Sequence, residues 1–186
     1  MPSESVDGLT FLPWDPTDVE GLIQWVVEQR WDNYVTRHPT PETVRGRVAE
    51  SFYAGSDCAT WWIQHQGADQ PVGLVRLHDL LDPTALFDLY VRLEWRGRGL
   101  GLAAVRWLTR HVFHEHPDVI RLEGQTRADN HAMRVVLRRA GYVKEAHYRA
   151  SWPTETGELS ASVSYAILRQ DFESGRTTPV DWDDEP

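Results

Sequence analysis

A glycine-rich turn between a predicted strand and a predicted helix constrains the fold of this chain more than any other feature. Apolar residues predict a strand over Leu86 to Val91, and the apolar residues from Leu100 to Val112 recur at helical spacing. The turn between them reads Arg96-Gly97-Arg98-Gly99-Leu100-Gly101. Glycines allow backbone N–H groups to converge, and the first turn of a helix adds partial positive charge. Such a turn is typical of a cradle for an anion such as a pyrophosphate.

Two familiar phosphate-binding loops do not fit this turn. A Walker loop ends in Gly-Lys-Ser or Gly-Lys-Thr, and the turn has no such run. A dinucleotide fingerprint spaces its glycines as G-x-G-x-x-G in the first βαβ unit, whereas Gly97, Gly99 and Gly101 lie mid-chain at two-residue spacing. Two alternatives stay open: the loop binds a nucleotide such as ATP or NAD, or it is a plain β–α turn without a ligand.

The predicted elements follow the order β α α β β β α β α β β, which indicates an α/β (α+β) fold with a mixed sheet. The first helix is predicted to begin with Thr17 as its N-cap. The second is predicted to begin at Thr40-Pro41 and to end by Gly55. A strand is predicted over Val119 to Leu122, between the last two helices.

Composition excludes several classes of function. The length of 186 residues, without a break in composition, predicts a single domain. Lys plus Arg number 19 and Asp plus Glu 28, so the net charge of −9 disfavours general nucleic-acid binding. Cys58 is the single cysteine, which leaves no intrachain disulfide and no thiolate metal site. Because neither a signal peptide nor an apolar run of roughly 18 residues is found, we expect a cytoplasmic protein with no nucleic-acid or membrane partner.

Two motifs together resemble the GNAT superfamily of acyl-CoA-dependent N-acyltransferases. The pyrophosphate loop of that family, Gln/Arg-x-x-Gly-x-Gly/Ala, resembles the run from Arg96 to Gly101. A second family block places an asparagine eleven residues before a Gly-Phe/Tyr pair, as Asn130 and Gly141-Tyr142 are placed here. The resemblance implies a GNAT fold with a central mixed, mostly antiparallel sheet flanked by helices. It covers a domain of about residues 8–172, and the acidic residues 173–186 are predicted to form a disordered tail.

The resemblance also implies acetyl-CoA as cosubstrate and no metal. The main chain around Val91 would bond the pantetheine arm and polarise the thioester carbonyl, and Asn130 would lie along that arm. The residues assigned to acetyl-CoA are Tyr90, Val91, Arg96, Gly97, Arg98, Gly99, Leu100, Gly101 and Asn130. Two segments, Thr17 to Gly55 and Tyr142 to Leu168, would wall the acceptor site.

The implied activity is transfer of an acetyl group to a primary amine of a small molecule or of a peptide N-terminus. The attacking amine must be neutral, yet a lysine-like amine has a pKa of about 10.4, so a general base is needed. Asp88, on the strand that leads to the thioester site, is the first candidate for this base, and Glu123 on the next strand is the second. Either carboxylate could instead belong to a solvated face of the sheet.

The proton donor for the leaving thiolate departs from the family pattern. The family's tyrosine position is Leu137 in this chain, and the serine position of the ribosomal-protein type is Met133. Tyr142 and Tyr148 are the candidates for this acid, with water as the alternative. The departures keep a second hypothesis open, namely a non-catalytic acyl-CoA-binding or sensor domain on the same fold.

The net charge of −9 favours a cationic acceptor, such as an aminoglycoside, a polyamine or a basic peptide N-terminus. Four arginines are expected to gather beside the glycine turn, which leaves the rest of the chain more acidic still: Arg92, Arg96, Arg98 and Arg106. A homodimer is one assembly that we consider.

Two further groups of residues are interpreted as structural. Histidines near a predicted helix end are expected at the surface rather than in a metal site: His111, His114 and His116. Four tryptophans are expected in the core, with a role in lining the acceptor site as the alternative: Trp25, Trp31, Trp61 and Trp62.

Overall fold

One eight-stranded sheet organises the described part of this computed structural model, which comprises residues 4–6, 8–154 and 157–182. The strands are β1 Glu4–Val6, β2 Leu9–Pro13, β3 Cys58–His65, β4 Gly73–His78, β5 Thr84–Val91, β6 Arg121–Arg127, β7 Val143–Pro153 and β8 Leu159–Leu168. The helices are α1 Val19–Val27, α2 Pro41–Ala49, α3 Leu100–Glu115, α4 His131–Arg139 and α5 Arg169–Ser174, with a 3-10 helix at Leu93–Trp95. The strands lie in the order β1-β2-β3-β4-β5-β6-β8-β7.

Every pair of neighbouring strands is antiparallel except β5 and β6, which are parallel. The predicted mixed, mostly antiparallel sheet is therefore confirmed. β5 and β6 pair only at their first residues, over Thr84–Leu86 and Arg121–Glu123. Beyond these residues β5 continues to Val91 and β6 to Arg127, and the described ladder holds no further pair between them. We call this opening between the two parallel strands the splay.

Helices cover both faces of the sheet, as predicted, because apolar side chains alternate between the faces along its strands. On one face, α3 and α4 pack over a core in which the rings of Phe11 and Trp107 stack with centroids 3.9 Å apart. On the other face, α1 and α2 enclose a second core that contains Trp31. Along β5, Phe87 belongs to the first core and Tyr90 to the second. One strand therefore serves both faces.

The two early helices begin close to their predicted positions. α2 begins at Pro41, as predicted. The N-cap of α1 is Asp18, whose carboxylate accepts a hydrogen bond from the Gly21 N–H at 3.0 Å. The predicted Thr17 cap is wrong by one residue, because the Thr17 hydroxyl donates to the Asp15 carboxylate at 2.8 Å instead.

β6 differs most from its prediction. It spans Arg121–Arg127 rather than Val119 to Leu122. After Leu122, its buried positions are Gly124 and Thr126, so the apolar alternation stops although the backbone stays extended. The sequence pattern also misses the short elements β1 and α5, and α2 ends at Ala49 rather than near Gly55.

The C-terminal end of the chain is described as far as residue 182. α5 crosses the predicted domain boundary at residue 172, and the Thr178 hydroxyl donates to the Asp171 carboxylate at 2.6 Å. Residues 183–186 of the predicted tail lie outside the described residues, so the limits of 8–172 and 173–186 stay predictions. No described helix is long and apolar enough to cross a membrane.

Gly124 and Gly46 give a matched pair of stability predictions. A Cβ on Gly124 would lie 2.9 Å from Phe87 Cζ and 3.1 Å from Leu137 Cδ2, inside the core. We expect Gly124→Ala to lower the free energy of unfolding by about 1–3 kcal/mol through overpacking. A Cβ on Gly46, within α2, would meet nothing within 4 Å. Gly46→Ala should therefore raise the free energy of unfolding by about 0.5–1 kcal/mol. Urea denaturation measures both changes, and effects of the same sign would contradict this packing.

Candidate functional site

The glycine turn forms an open cradle at the N-terminus of α3. Gly97 and Gly99 have φ values of 74° and 86°, in the left-handed region that favours glycine. A Cβ on either residue would meet nothing within 4 Å, so this backbone borders open space. The N–H groups of Leu102 and Ala103 both donate to the Gly99 carbonyl, and the amides before them have no acceptor within the helix. The cradle therefore offers backbone donors and the helix dipole to an anion.

Arginine side chains add positive charge to the cradle. The Arg98 guanidinium lies 4.8 Å from the centre of the Trp95 ring, and with Arg106 it borders a cavity of about 260 Å³. Arg92 does not add free charge here, because its Nη2 lies 2.6 Å from a carboxylate oxygen of Glu28. The positive charge at the cradle is therefore smaller than the four arginines predict.

Side chains of the protein bind the β5 backbone along the splay. The Leu89 carbonyl accepts a hydrogen bond from the Tyr34 hydroxyl, and the Val91 carbonyl accepts one from Arg96 Nε at 3.0 Å. Both carbonyls lie on the stretch of β5 beyond its pairing with β6. This stretch leads from the cradle into the splay and carries polar groups that can bond an extended ligand.

The loop between α1 and α2, residues 28–40, spans the splay. It reaches β5 through Tyr34, and it reaches β6 where Arg127 Nη1 donates to the Asp32 carbonyl at 3.2 Å. Its first residues are fixed by Gln29, whose side-chain oxygen accepts the Leu93 N–H at 3.0 Å. The loop therefore borders the same opening as the two parallel strands.

Asn130 lies at the turn from β6 into α4. Its Oδ1 caps the helix by accepting the Met133 N–H at 3.2 Å, and its Nδ2 donates to the Thr126 hydroxyl at 2.9 Å. These bonds fix the start of α4 next to the end of β6. A role for Asn130 along a pantetheine arm stays a prediction.

An aromatic pocket of about 280 Å³ lies on the face covered by α1 and α2. Its aromatic lining consists of Trp31, Tyr34, Phe52, Tyr90 and Trp152. The rings of Tyr34 and Tyr90 stack with centroids 4.0 Å apart, so the side chain of Tyr90 belongs to this wall. Both segments expected to wall an acceptor site contribute residues to the pocket. Of the four tryptophans named above, Trp31 lines it.

Asp88 is the candidate base that lines the pocket. Its Oδ2 lies 2.7 Å from Arg76 Nη1, and 30% of its side chain is exposed. Arg76 is buried, with its guanidinium 3.5 Å from the centre of the Phe52 ring and its Nε donating to the Phe52 carbonyl. The second carboxylate oxygen of Asp88 has no hydrogen-bond partner among the described residues.

Glu123 lies in an ion network on β6, outside the described lining of the pocket. It accepts hydrogen bonds from Arg121 and from the Ser164 hydroxyl, one on each carboxylate oxygen. Arg121 also pairs with Glu145 on β7 at 2.5 Å. Both oxygens of Glu123 are therefore engaged, which argues against this residue as the base.

Tyr142 lies in the core and not at the splay. It is 3% exposed, and its hydroxyl is 2.8 Å from the Thr109 hydroxyl on α3. Burial raises the pKa of Tyr142 far above its ordinary value. An enclosed hydroxyl is poorly placed to meet a leaving thiolate, which argues against Tyr142 as the general acid. Tyr148, the other candidate, lies on β7 with 46% of its surface exposed.

Tyr34 is the tyrosine that the structure brings to the splay, and sequence reasoning missed it. Its hydroxyl donates to the Leu89 carbonyl. Burial, with a further contribution from Tyr90 and Asp88, raises the pKa of Tyr34 well above its ordinary value, so the hydroxyl keeps its proton. The surrounding loop has neither helical nor strand periodicity, and no local signal identifies this position.

The histidines near the end of α3 do not all lie at the surface. His111 is buried, and its ring stacks on Trp107 with centroids 5.0 Å apart, so the surface interpretation is wrong for this residue. Burial lowers the pKa of His116. Within the described part of the chain, no group of three or more His, Cys, Asp or Glu residues is placed to hold a metal ion.

Comparison with known proteins identifies the family. Residues 8–143 match the family described as acetyltransferase (GNAT) domain. The chain belongs to the GNAT acetyltransferase family. This GNAT chain is accordingly an acetyl-CoA-dependent acetyltransferase, which its family and its fold both support. A search of curated proteins found no match.

Solved acetyltransferases share the fold of this GNAT chain. A probable acetyltransferase is 20% identical, with a TM-score of 0.75 over 91% of this chain and 98% of that one. RimL, a ribosomal L7/L12 alpha-N-protein acetyltransferase in complex with coenzyme A, is 18% identical, with a TM-score of 0.73 over 89% and 96%. A mutant of SpeG, the spermidine N-acetyltransferase of Vibrio cholerae, is 13% identical, with a TM-score of 0.72 over 90% and 98%.

The described residues fit acetyl-CoA. The cradle provides open space lined by backbone donors, which suits a pyrophosphate, and Arg98 adds a cation beside it. The splay leaves the backbone from Leu89 to Val91 without a strand partner on the β6 side, which suits an extended arm that carries amide groups. The cradle and the splay are contiguous along β5 and the start of α3.

Proposed function

We propose that this GNAT chain transfers the acetyl group of acetyl-CoA to a primary amine bound in the aromatic pocket. The observation that carries the proposal is the alternation along β5. The backbone of Leu89 opens on the splay, whereas the side chains of Asp88 and Tyr90, on either side of it, line the pocket. A ligand extended from the cradle along the splay would therefore end at the wall of the pocket.

Each group of the chain has one role in this proposal. The amides from Gly97 to Gly101 hold the pyrophosphate, whereas the Arg96 N–H donates to the Leu93 carbonyl. The β5 backbone at Leu89 orients the thioester. Asp88 accepts a proton from the amine. The Tyr34 hydroxyl turns its single proton from the Leu89 carbonyl to the sulfur while negative charge develops there. When bound, acetyl-CoA supplies an acetyl group activated as a thioester.

The reaction balances with these groups and solvent. A C–N bond forms between the amine and the acetyl carbonyl carbon, and the C–S bond breaks. The amine loses one proton to Asp88, which returns it to water. The sulfur gains one proton from solvent, after the Tyr34 hydrogen bond has stabilised its negative charge. The products are the N-acetylated amine and the free thiol.

Thiol release from acetyl-CoA over a panel of primary amines tests this function. We expect release that depends on the amine, with one thiol formed for each amine acetylated. Binding of CoA without release on any amine would instead support the acyl-CoA-binding sensor. Tighter binding of ATP or NAD than of CoA, in a thermal-shift comparison, would support the nucleotide-binding alternative.

Tyr34→Phe is expected to lower kcat by about 10- to 100-fold, the value of a hydrogen bond to a charged group. The affinity for CoA should change little, because the phenyl ring can still stack on Tyr90. Steady-state kinetics and calorimetric titration with CoA measure the two effects. Tyr148→Phe removes the same hydroxyl from the other tyrosine candidate. A larger loss of kcat in Tyr148→Phe than in Tyr34→Phe would transfer the role to Tyr148.

A further inference from the structure

The aromatic pocket carries positive charge that the protein does not neutralise. Its lining includes two arginines, Arg47 and Arg76, and a single carboxylate, that of Asp88. Arg76 and Asp88 are 2.7 Å apart and neutralise each other. Among the described residues, Arg47 has no acidic partner within ion-pair distance.

Neutral groups hold Arg47 in place. Its Nη2 donates to the Thr36 hydroxyl at 3.1 Å, and its guanidinium carbon lies 5.2 Å from the centre of the Phe52 ring. Both partners also line the pocket. These contacts orient the guanidinium without cancelling its charge. A half-buried cation without a counter-charge is costly, and an anionic group in the pocket would offset that cost.

A donor without a hydrogen-bond partner belongs to the same wall. Trp152 lines the pocket from β7, and its indole Nε1 is buried and has no hydrogen-bond partner among the described residues. A buried donor left without an acceptor also costs free energy. Two elements distant in sequence thus contribute to one cavity: α2 a cation without a counter-charge, and β7 a residue whose donor has no partner.

We infer that the acceptor amine carries a carboxylate, as an amino acid does, and that Arg47 binds it. The inference rests on the proposed function, because it names the class of amine that this pocket takes. The planar guanidinium fork of Arg47 matches a carboxylate bidentately. A volume of about 280 Å³ suits a small acceptor, and the aromatic walls suit its apolar part.

The charge of Arg47 in the pocket disfavours a cationic acceptor, whereas the net charge of −9 favours one. Aromatic rings can also bind cations, but the Phe52 ring already has two guanidinium groups near it, those of Arg76 and Arg47. A further cation in this pocket would meet like charge at Arg47. A polyamine acceptor is accordingly the main contrary outcome of the test.

The test compares kcat/KM for L-amino acids, their amides, the amines that lack the carboxyl group, spermidine, and peptides with a free N-terminus and an acidic residue. We expect the amino acid to exceed its own amide by about 10- to 100-fold. A peptide that exceeds every free amino acid would place the carboxylate on a peptide side chain. In Arg47→Met the ratio of acid to amide should fall to near unity, and in Arg47→Lys it should be intermediate.

Arg45→Met is the matched control. Arg45 lies on the same helix, but it pairs with Glu20 at 3.0 Å on the exposed surface and does not line the pocket. The ratio of acid to amide should be the same in this variant as in the wild type. Thermal unfolding of all three variants separates a loss of specificity from a loss of fold.

Binding without turnover keeps this inference separable from the proposed function. Quenching of tryptophan fluorescence reports ligand entry, because Trp31 and Trp152 line the pocket. Tighter binding of the acid than of the amide in the wild type, but not in Arg47→Met, would support the anion site even without acetyl transfer. Equal binding of acid and amide, or preferred turnover of spermidine, would overturn the inference and leave the proposed function intact. Thiol release from no amine would contradict the proposed function instead.

Discussion

Gly99→Glu is expected to lower the affinity for CoA by about 100-fold or more, the effect of like charges brought together. The new side chain has room, because a Cβ at this position meets nothing within 4 Å. Its carboxylate would stand where the amides of the cradle are proposed to hold the pyrophosphate. Because the φ of Gly99 is 86°, we also expect the free energy of unfolding to fall by about 1–2 kcal/mol. Calorimetric titration with CoA measures the affinity.

Gly175→Glu is the control for strain and for added charge. Gly175 ends α5 with a φ of 66°, and its Cβ would also meet nothing within 4 Å. Stability should fall by a similar amount in this variant, while CoA affinity should equal that of the wild type. Wild-type affinity in Gly99→Glu, or an equal loss of affinity in Gly175→Glu, would contradict the assignment of the cradle.

Asp88→Asn is expected to lower kcat by about 100- to 10,000-fold, the range that general-base catalysis contributes. CoA affinity should be retained, because Asp88 faces the pocket and not the cradle. The substitution also leaves Arg76 without its carboxylate. The loss of stability should be less than the about 3–5 kcal/mol typical of a fully buried pair, because the Asp88 side chain is 30% exposed. Kinetics well below the unfolding temperature isolate the effect on turnover.

Two comparison variants decide whether the lost function is proton transfer. Asp88→Glu retains a carboxylate on the same strand and should recover part of the activity. Glu123→Gln changes the other carboxylate candidate, whose partners are Arg121 and Ser164. If Glu123→Gln reduces kcat more than Asp88→Asn does, Glu123 and not Asp88 is the base.

The cradle is the part of the site that the sequence predicts best. The turn is local in sequence, and its glycines indicate the backbone conformation directly. Gly97 and Gly99 adopt positive φ values that other residues rarely reach. The alternation along β5 is equally local, and it is what places Asp88 and Tyr90 on one face. Short-range periodicity and glycine chemistry are sufficient for these features.

The contacts of the pocket depend on residues that are distant in sequence. Asp88 meets Arg76 because β4 and β5 pair in one particular register, and no local pattern states that register. Tyr34 reaches Leu89 only because Gln29 and its neighbours fix an irregular loop across the splay. The charge beside the glycine turn is overestimated from the sequence for a related reason, since the ion pair between Arg92 and Glu28 cancels charges that a composition counts separately.

Tyr142 shows that a motif can be placed correctly from the sequence while the contacts of its residues are not. The Gly-Tyr pair follows α4 at the expected place, but the tyrosine turns inward and its hydroxyl meets Thr109. The contact joins residues 33 positions apart, so burial is a property of the packed α3 and not of the motif. The proton-handling residues of this site therefore could not be chosen from spacing alone.

Transfer of an isotope-labelled acetyl group tests the central claim most directly. The wild-type chain is incubated with acetyl-CoA labelled in its acetyl group and with a mixture of amines, and mass spectrometry locates the label. The account predicts label on the nitrogen of an amine in an amount equal to the free thiol, with both signals lost in Gly99→Glu. Tight binding of CoA with no labelled amine, or free thiol that forms without one, would contradict it.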